Sequence, residues 1–153
     1  MAAEQLFCDT NVLLSAIDRR RTLHAQALHV LNVLPNQGVA LCVSGQVLRE
    51  LVVVCTRPIE ANGLGMPLGS ALENVVAISG RCRLLEETRV VHEKLIELLR
   101  AHDVLGKQAH DANVVATMLT HGVRDLVTAN VGDFARYAGI GVVDLAAVET
   151  VAG

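Results

Sequence analysis

The sequence predicts an α/β protein, a three-layer α/β/α sandwich around a central parallel sheet of four or five strands. Three observations carry that expectation. Short apolar runs alternate with stretches of helical apolar spacing along the whole chain, the pattern of a parallel sheet with helices on both faces. The chain has 153 residues and is 52% hydrophobic, which suits one core and leaves little room for disorder. No repeat, low-complexity segment or linker interrupts it, so residues 1–153 are expected to form a single domain.

Each element follows from local sequence. "QLFC" reads as a short buried strand ending at Asp9. A brief helix over Asn11 to Ile17 is ended by the cationic run Arg19, Arg20 and Arg21. His24 to Leu34 has helical spacing at Ala27, Leu28, Leu31 and Leu34, and Pro35 and Gly38 end it. Val39 to Val43 is a second strand. Ser44 is placed to cap the helix "GQVLRELVVVCTR", which Pro58 closes. "IEANGLGMP" is a turn-rich connection. Its glycines lack the spacing and the preceding strand of a dinucleotide-binding turn. "LGSALENVVAIS" is a helix and "RCRLLEE" contains a short strand. Arg89 to Ala101 is amphipathic, with Val91, Leu95, Leu98 and Leu99 on one side. Ala109 to Gly122 is a further helix with its glycine just past the end. "DLVTA" and "GVVDL" supply the last two strands.

Composition excludes several classes. Aromatic residues are only 2%, too few for a module that stacks bases on aromatic rings. A net charge of −3 gives no global field for a polyanion, so nucleic acid would have to meet local cations. Cys8, Cys42, Cys55 and Cys82 are widely spaced, which argues against a zinc site or disulfide framework and for a reducing compartment. "MAAEQLF" lacks a cationic start and a long apolar region, and no apolar stretch is long enough to span a bilayer; a cytoplasmic protein without membrane contact is expected. No P-loop and no G-x-S-x-G elbow is present.

Four acids stand at matching places. Asp9 follows the first strand, Glu50 lies about two turns into the helix after the second, Asp111 is in the first turn of a late helix, and Asp133 follows "LVTA" after a short loop. In an open parallel sheet, ligands bind outside the carboxyl ends of the strands. Singly, Asp111 would satisfy a helix dipole, Asp133 would cap a short helix at Phe134, and Glu50 would be a surface acid, although its neighbours Leu48, Leu51 and Val52 are apolar. Together, four carboxylates in one pocket repel, and a hard divalent cation such as Mg²⁺ or Mn²⁺ resolves the conflict. Such a site suits phosphodiester hydrolysis.

The ordered set "FCDTNVLL", "VLRELVVVCTRPIEANGLG", "GKQAHDANVVATMLTHGV" and "LVTANVGDFARY" resembles the PIN-domain ribonucleases, and within them the VapC-type toxins of bacterial toxin–antitoxin pairs. The resemblance runs from Leu6 to Val143. It implies a PIN-like domain that cuts RNA with Mg²⁺ or Mn²⁺, is held in check by a cognate antitoxin protein, and forms a homodimer. It implies that Asp9, Glu50, Asp111 and Asp133 are the metal ligands and catalytic acids. Thr128 and Asn130 match polar residues that orient the last acid and the substrate or water, and Asn11 matches one beside the first acid. The chain departs from its relatives at Ala129, where an aromatic often stands between Thr and Asn. Two alternatives remain open: a non-catalytic PIN-like module that binds RNA or protein, and a housekeeping PIN nuclease. A phosphatase of the haloacid dehalogenase type needs a second Asp at position 11, where the chain has Asn11.

The other polar residues read as support. His110 adjoins Asp111 and is expected to assist it structurally, and Lys107 lies one turn before it. Arg49 points about 100° away from Glu50 on the helix but has the length to line the same groove. The Arg19–Arg21 run reads as a solvated loop, with a phosphate contact as the sharper alternative.

Overall fold

A computed structural model describes residues 4–150. Five strands form one sheet in the order β3-β2-β1-β4-β5: β1 Gln5–Cys8, β2 Ala40–Ser44, β3 Arg83–Leu85, β4 Asp125–Thr128 and β5 Gly141–Asp144. Every neighbouring pair is parallel, with Phe7 opposite both Cys42 and Leu126 in the middle of the sheet. The central strands are buried on both faces, which is why their sequences are continuously apolar rather than alternating.

Six helices cover the sheet: α1 Thr10–Ile17, α2 His24–Asn32, α3 Gly45–Thr56, α4 Leu68–Ser79, α5 Arg89–Ala101 and α6 Gln108–Thr120. Helix α1 packs on both α2 and α3, α3 packs on α4, and α5 packs on α6. These groups are the two outer layers, as right-handed crossovers require when the chain first builds outward from β1 to β3 and then returns past β1 to β4. The reversal leaves a crevice at the carboxyl ends of β1 and β4, where such folds place their ligands.

The core joins Phe7, Leu13, Leu41, Leu51, Leu85, Met118, Leu126, Phe134 and Leu145. Met66 lies only partly buried at its margin. Helix α2 stops at Asn32, two residues earlier than its spacing predicts, and a 3-10 turn over Leu34–Gln37 carries the Pro35 ring. Proline disfavours helix in the residue before it, which explains the early stop. Gly122 takes φ +71 past the end of α6, a left-handed conformation that glycine adopts without strain. No helix among the described residues is long and apolar enough to cross a membrane.

Candidate functional site

Strand β1 ends by delivering Asp9 to the crevice. The carboxylate is only 8% exposed, and all its protein partners are local or on β4. Its Oδ1 accepts the backbone N–H of Thr10 at 2.9 Å, capping α1. Its Oδ2 accepts from Asn11 Nδ2 at 3.0 Å and from Thr128 Oγ1 at 2.8 Å. Burial pushes the Asp9 carboxyl above its ordinary range; the hydrogen bonds from Thr128, Thr10 and Asn11 pull the other way, and the charge of Glu50 pushes up again. Thr128 is fully buried and also accepts the backbone N–H of Asn130 at 3.0 Å. Asn11 Oδ1 accepts the N–H of Ala129 at 2.9 Å, so β4 and the loop after it are fixed against the start of α1. The Asn130 side chain is exposed at this rim.

Glu50 reaches the same rim from the second turn of α3. Thr10 Oγ1 donates to its Oε2 at 2.6 Å, and Gln46 Nε2 donates to its Oε1 at 2.8 Å. Thr10 therefore touches both acids, Asp9 through its amide and Glu50 through its hydroxyl. Gln46 is itself buried. Its Nε2 also reaches the carbonyl of His110 at 2.9 Å, and its Oε1 accepts from Asn113 Nδ2 at 2.7 Å. Asn113 Nδ2 in turn reaches Glu87 Oε1 at 2.8 Å. This network locks α3 to α6 and to the loop before α5.

Glu87 also takes the part that the sequence assigns to Ser44. Ser44 occupies the N-cap position of α3, but its side chain makes no capping bond and its buried Oγ has no partner among the described residues. The amide of Gln46 donates to Glu87 Oε2 at 2.9 Å instead. A full negative charge complements the helix dipole better than a hydroxyl does. Arg49 Nη1 stands 3.9 Å from the same carboxylate.

Asp111 lies half-buried in the first turn of α6. Its carboxyl is pushed up to about 6, first by desolvation and then by the charges of Asp9, Asp133 and Glu50, with His110 pulling down. Asp133 is exposed inside the 3-10 turn Val131–Phe134, whose N-cap position belongs to Asn130 and carries no side-chain cap. Asp133 is therefore not a capping residue for Phe134. The fold thus brings the four acids into one electrostatic neighbourhood, with Asp9 and Glu50 held by hydrogen bonds. The His110 side chain is exposed and its charge acts on Asp111; Lys107 and Arg19 are exposed as well.

Among the described residues, no three His, Cys, Asp or Glu side chains close up into a ready-made metal cage. The donor set nonetheless fits a hard cation. It is all oxygen, with no Cys or His among the four, the donor type that hard divalent cations take. Part of Asp111's raised proton affinity comes from the charges of Asp9, Asp133 and Glu50, which also favour a cation beside it.

Thr10, Gln46, Asn113 and Glu87 are the residues that sequence reasoning missed. Gln46 and Glu50 are four apart on one helix, a spacing that does place side chains together. Thr10 directly follows the first acid. Glu87 and Asn113 carry no local signal, because their partners are distant in the chain. Beside Glu50 runs a groove of about 500 Å³ whose lining includes Thr10, Arg49, Val53, Val54, Arg57 and His110. Arg49 does reach it, as its length allows.

The family model described as "PIN domain" matches residues 6–140. No curated protein matches the chain in sequence. Among solved structures, VapBC2 from Rickettsia felis, bound to a DNA fragment from its promoter, is 16% identical, with a TM-score of 0.67 over 92% of this chain and 98% of that one. VapBC-1 from nontypeable Haemophilus influenzae is 18% identical, with a TM-score of 0.66 over 93% and 98%. Mycobacterium tuberculosis VapC20, a sarcin–ricin loop cleaving toxin, is 19% identical, with a TM-score of 0.61 over 95% and 96%. At these identities the likeness speaks for the fold.

Proposed function

Because the chain belongs to the PIN domain family, we propose that it is a divalent-metal-dependent endoribonuclease and the toxin of a bacterial toxin–antitoxin pair. The observation that carries the nuclease reading is the shared field at Asp111, whose carboxyl responds to Asp9, Asp133 and Glu50 together. RNA as substrate is supported by the likeness to a toxin that cuts the sarcin–ricin loop. The antitoxin is supported by the likeness to VapBC assemblies.

Asp9, Glu50, Asp111 and Asp133 would hold Mg²⁺ or Mn²⁺. When bound, the ion supplies Lewis-acid stabilisation of phosphate charge and a more acidic water. The chain's own residues do the positioning. Thr10 and Gln46 each fix one oxygen of Glu50, so its carboxylate cannot rotate freely. Thr128 and Asn11 both hold Asp9 Oδ2, leaving that acid rigid before substrate arrives. Asp133 is the most exposed of the four, so on this reading it is the acid that solvent reaches most freely. Asn130, held through its amide on Thr128, presents a side-chain amide to substrate beside it.

The antitoxin is read as covering the groove beside Glu50. Apolar side chains would lie on Val53 and Val54, and an arginine would enter among the acids as a cation in place of the metal. On this reading the chain acts as one PIN-like domain in the cytoplasm. A homodimer is part of the reading, for which exposed Leu68, Leu72 and Val76 on α4 offer an apolar face.

The test is cleavage of RNA by purified protein with Mg²⁺ or Mn²⁺, with and without EDTA, and by Asp9→Asn protein. Cleavage should need the metal and fall by orders of magnitude in the variant. Undiminished cleavage by Asp9→Asn would refute the assignment. Growth arrest by the chain alone, relieved by the product of an adjacent gene, tests the toxin role; absence of arrest would leave a housekeeping nuclease.

A further inference from the structure

Next to Asn11 lies a second depression of about 420 Å³, whose lining includes Asn11, Ser15, Arg20, Arg21, Ala129 and Asn130. We propose that it is a nucleotide subsite, which takes one unpaired RNA nucleotide with its base in the depression and its phosphate against Arg20. The proposal rests on the ribonuclease reading and deepens it.

Four features carry it. The depression is continuous with the acid site through one side chain, because Asn11 lines it while donating to Asp9 Oδ2 at 3.0 Å and to Thr128 Oγ1 at 3.1 Å. Its volume falls within the roughly 300–1,000 Å³ of pockets that take small organic groups. Its cationic rim is available: the Arg20 side chain is 78% exposed, and only its Nε is engaged, 3.2 Å from Asp18 Oδ1. Arg21 adds a second charge, with a solvent-shielded Nε that has no hydrogen-bond partner among the described residues and a carboxylate oxygen of Asp18 at 3.8 Å.

The recognition groups suit a base. The Asn130 side chain is exposed, and an amide both donates and accepts, as a base edge requires. Its backbone is fixed by the bond to Thr128, so the amide is presented from a set position. Ala129 contributes only a methyl group, and its N–H is tied to Asn11. Residue 129 therefore takes up little of the space. A chain of net charge −3 also needs a local cation to hold a polyanion beside four carboxylates. Arg20 supplies it.

The test uses the full chain and a short unstructured RNA of mixed sequence. Dissociation constants are read by fluorescence anisotropy, with Asp111→Asn as the cleavage-impaired background, and cleavage positions are mapped with Asp111 restored. Arg20→Ala should weaken RNA binding about tenfold, the loss of one charge-assisted hydrogen bond, and lower the salt dependence by about one phosphate. Ala129→Phe should fill the depression and redistribute the cleavage positions. Both residues are exposed, so circular dichroism should match the parent. Unchanged affinity in Arg20→Ala together with unchanged cleavage positions in Ala129→Phe overturns the subsite while leaving the nuclease intact. A parent that binds and cuts no RNA overturns both. Loss of antitoxin binding in Arg20→Ala with RNA affinity untouched would assign the depression to the protein partner and also refute the proposal.

Discussion

Replacing Asp111 by Asn should stabilise the protein in the absence of divalent ions, and only above a defined pH. The Asp111 carboxyl is raised from an ordinary 3.8 to about 6, so the folded state holds this proton more tightly than the unfolded chain does. Below pH 3.8 the group is protonated in both states and costs nothing. As pH rises from there to about 6, the unfolded chain releases the proton first and stability falls. Above that the penalty is constant. A shift of about two pKa units corresponds to about 3 kcal/mol at full strength. Asp111 is only half-buried, and solvent screening reduces this to about 1 kcal/mol. For a domain of this size, that is about 2–4 °C in Tm. Thermal melts of both proteins in EDTA at pH 4, 5, 6, 7 and 8 should coincide at pH 4 and separate by that amount, variant higher, at pH 7 and 8. Mg²⁺ should then raise the parent's Tm more than the variant's, since binding to the folded state stabilises by mass action. A constant difference at every pH, or a variant less stable at pH 8, would refute the convergence of the four charges on Asp111.

Three further substitutions test the supporting contacts. Thr128→Val removes the donor to Asp9 Oδ2 and the acceptor for the Asn130 amide; RNA cleavage should fall about 10–100-fold, the usual cost of losing a partner that orients a ligand, and an unchanged rate would refute it. Gln46→Leu keeps the volume but removes the donor to Glu50 Oε1 and to the His110 carbonyl, and leaves the Asn113 amide only Glu87; urea unfolding should show a loss of about 3 kcal/mol, and a loss below about 1 would mean that the network rearranges. Ser44→Ala should lie within about 0.5 kcal/mol of the parent, because Glu87 and not Ser44 caps α3. A loss of a full helix cap would restore the capping role to Ser44.

Much of the fold was legible because its signals are local. "QLFC" and "DLVT" are apolar enough to read as buried strands, and each is followed by polar residues that must lie at a strand end. Asp9 and Asp133 were singled out for the same reason. Glu50 needed one more step, the contrast with its apolar neighbours. The relay that orients Glu50 was not legible beyond Gln46. Asn113 meets Gln46 across 67 residues and Glu87 meets the Gln46 amide across 41, distances at which no periodicity survives. The capping error has the same origin. A Ser before a helix is a local signal, and it was outcompeted by a carboxylate brought in by tertiary structure.

The placement of β1 in the middle of the sheet has a consequence for biosynthesis. Of the five strands β1 is made first, yet it is flanked on both sides only when β4 arrives. Pairing with β2 follows after a short crossover, but the bonds that fix Asp9 and Asn11 to Thr128 of β4 close loops of 119 and 117 residues. Contacts of that separation form late, because loop-closure entropy is met before they can contribute. A nascent chain that ends before Asp125 carries Asp9 and Glu50 but lacks the strand that holds Asp9 rigid. On the nuclease reading proposed above, a chain at that stage would be catalytically silent until β4 inserts beside β1 and Asp133 follows it.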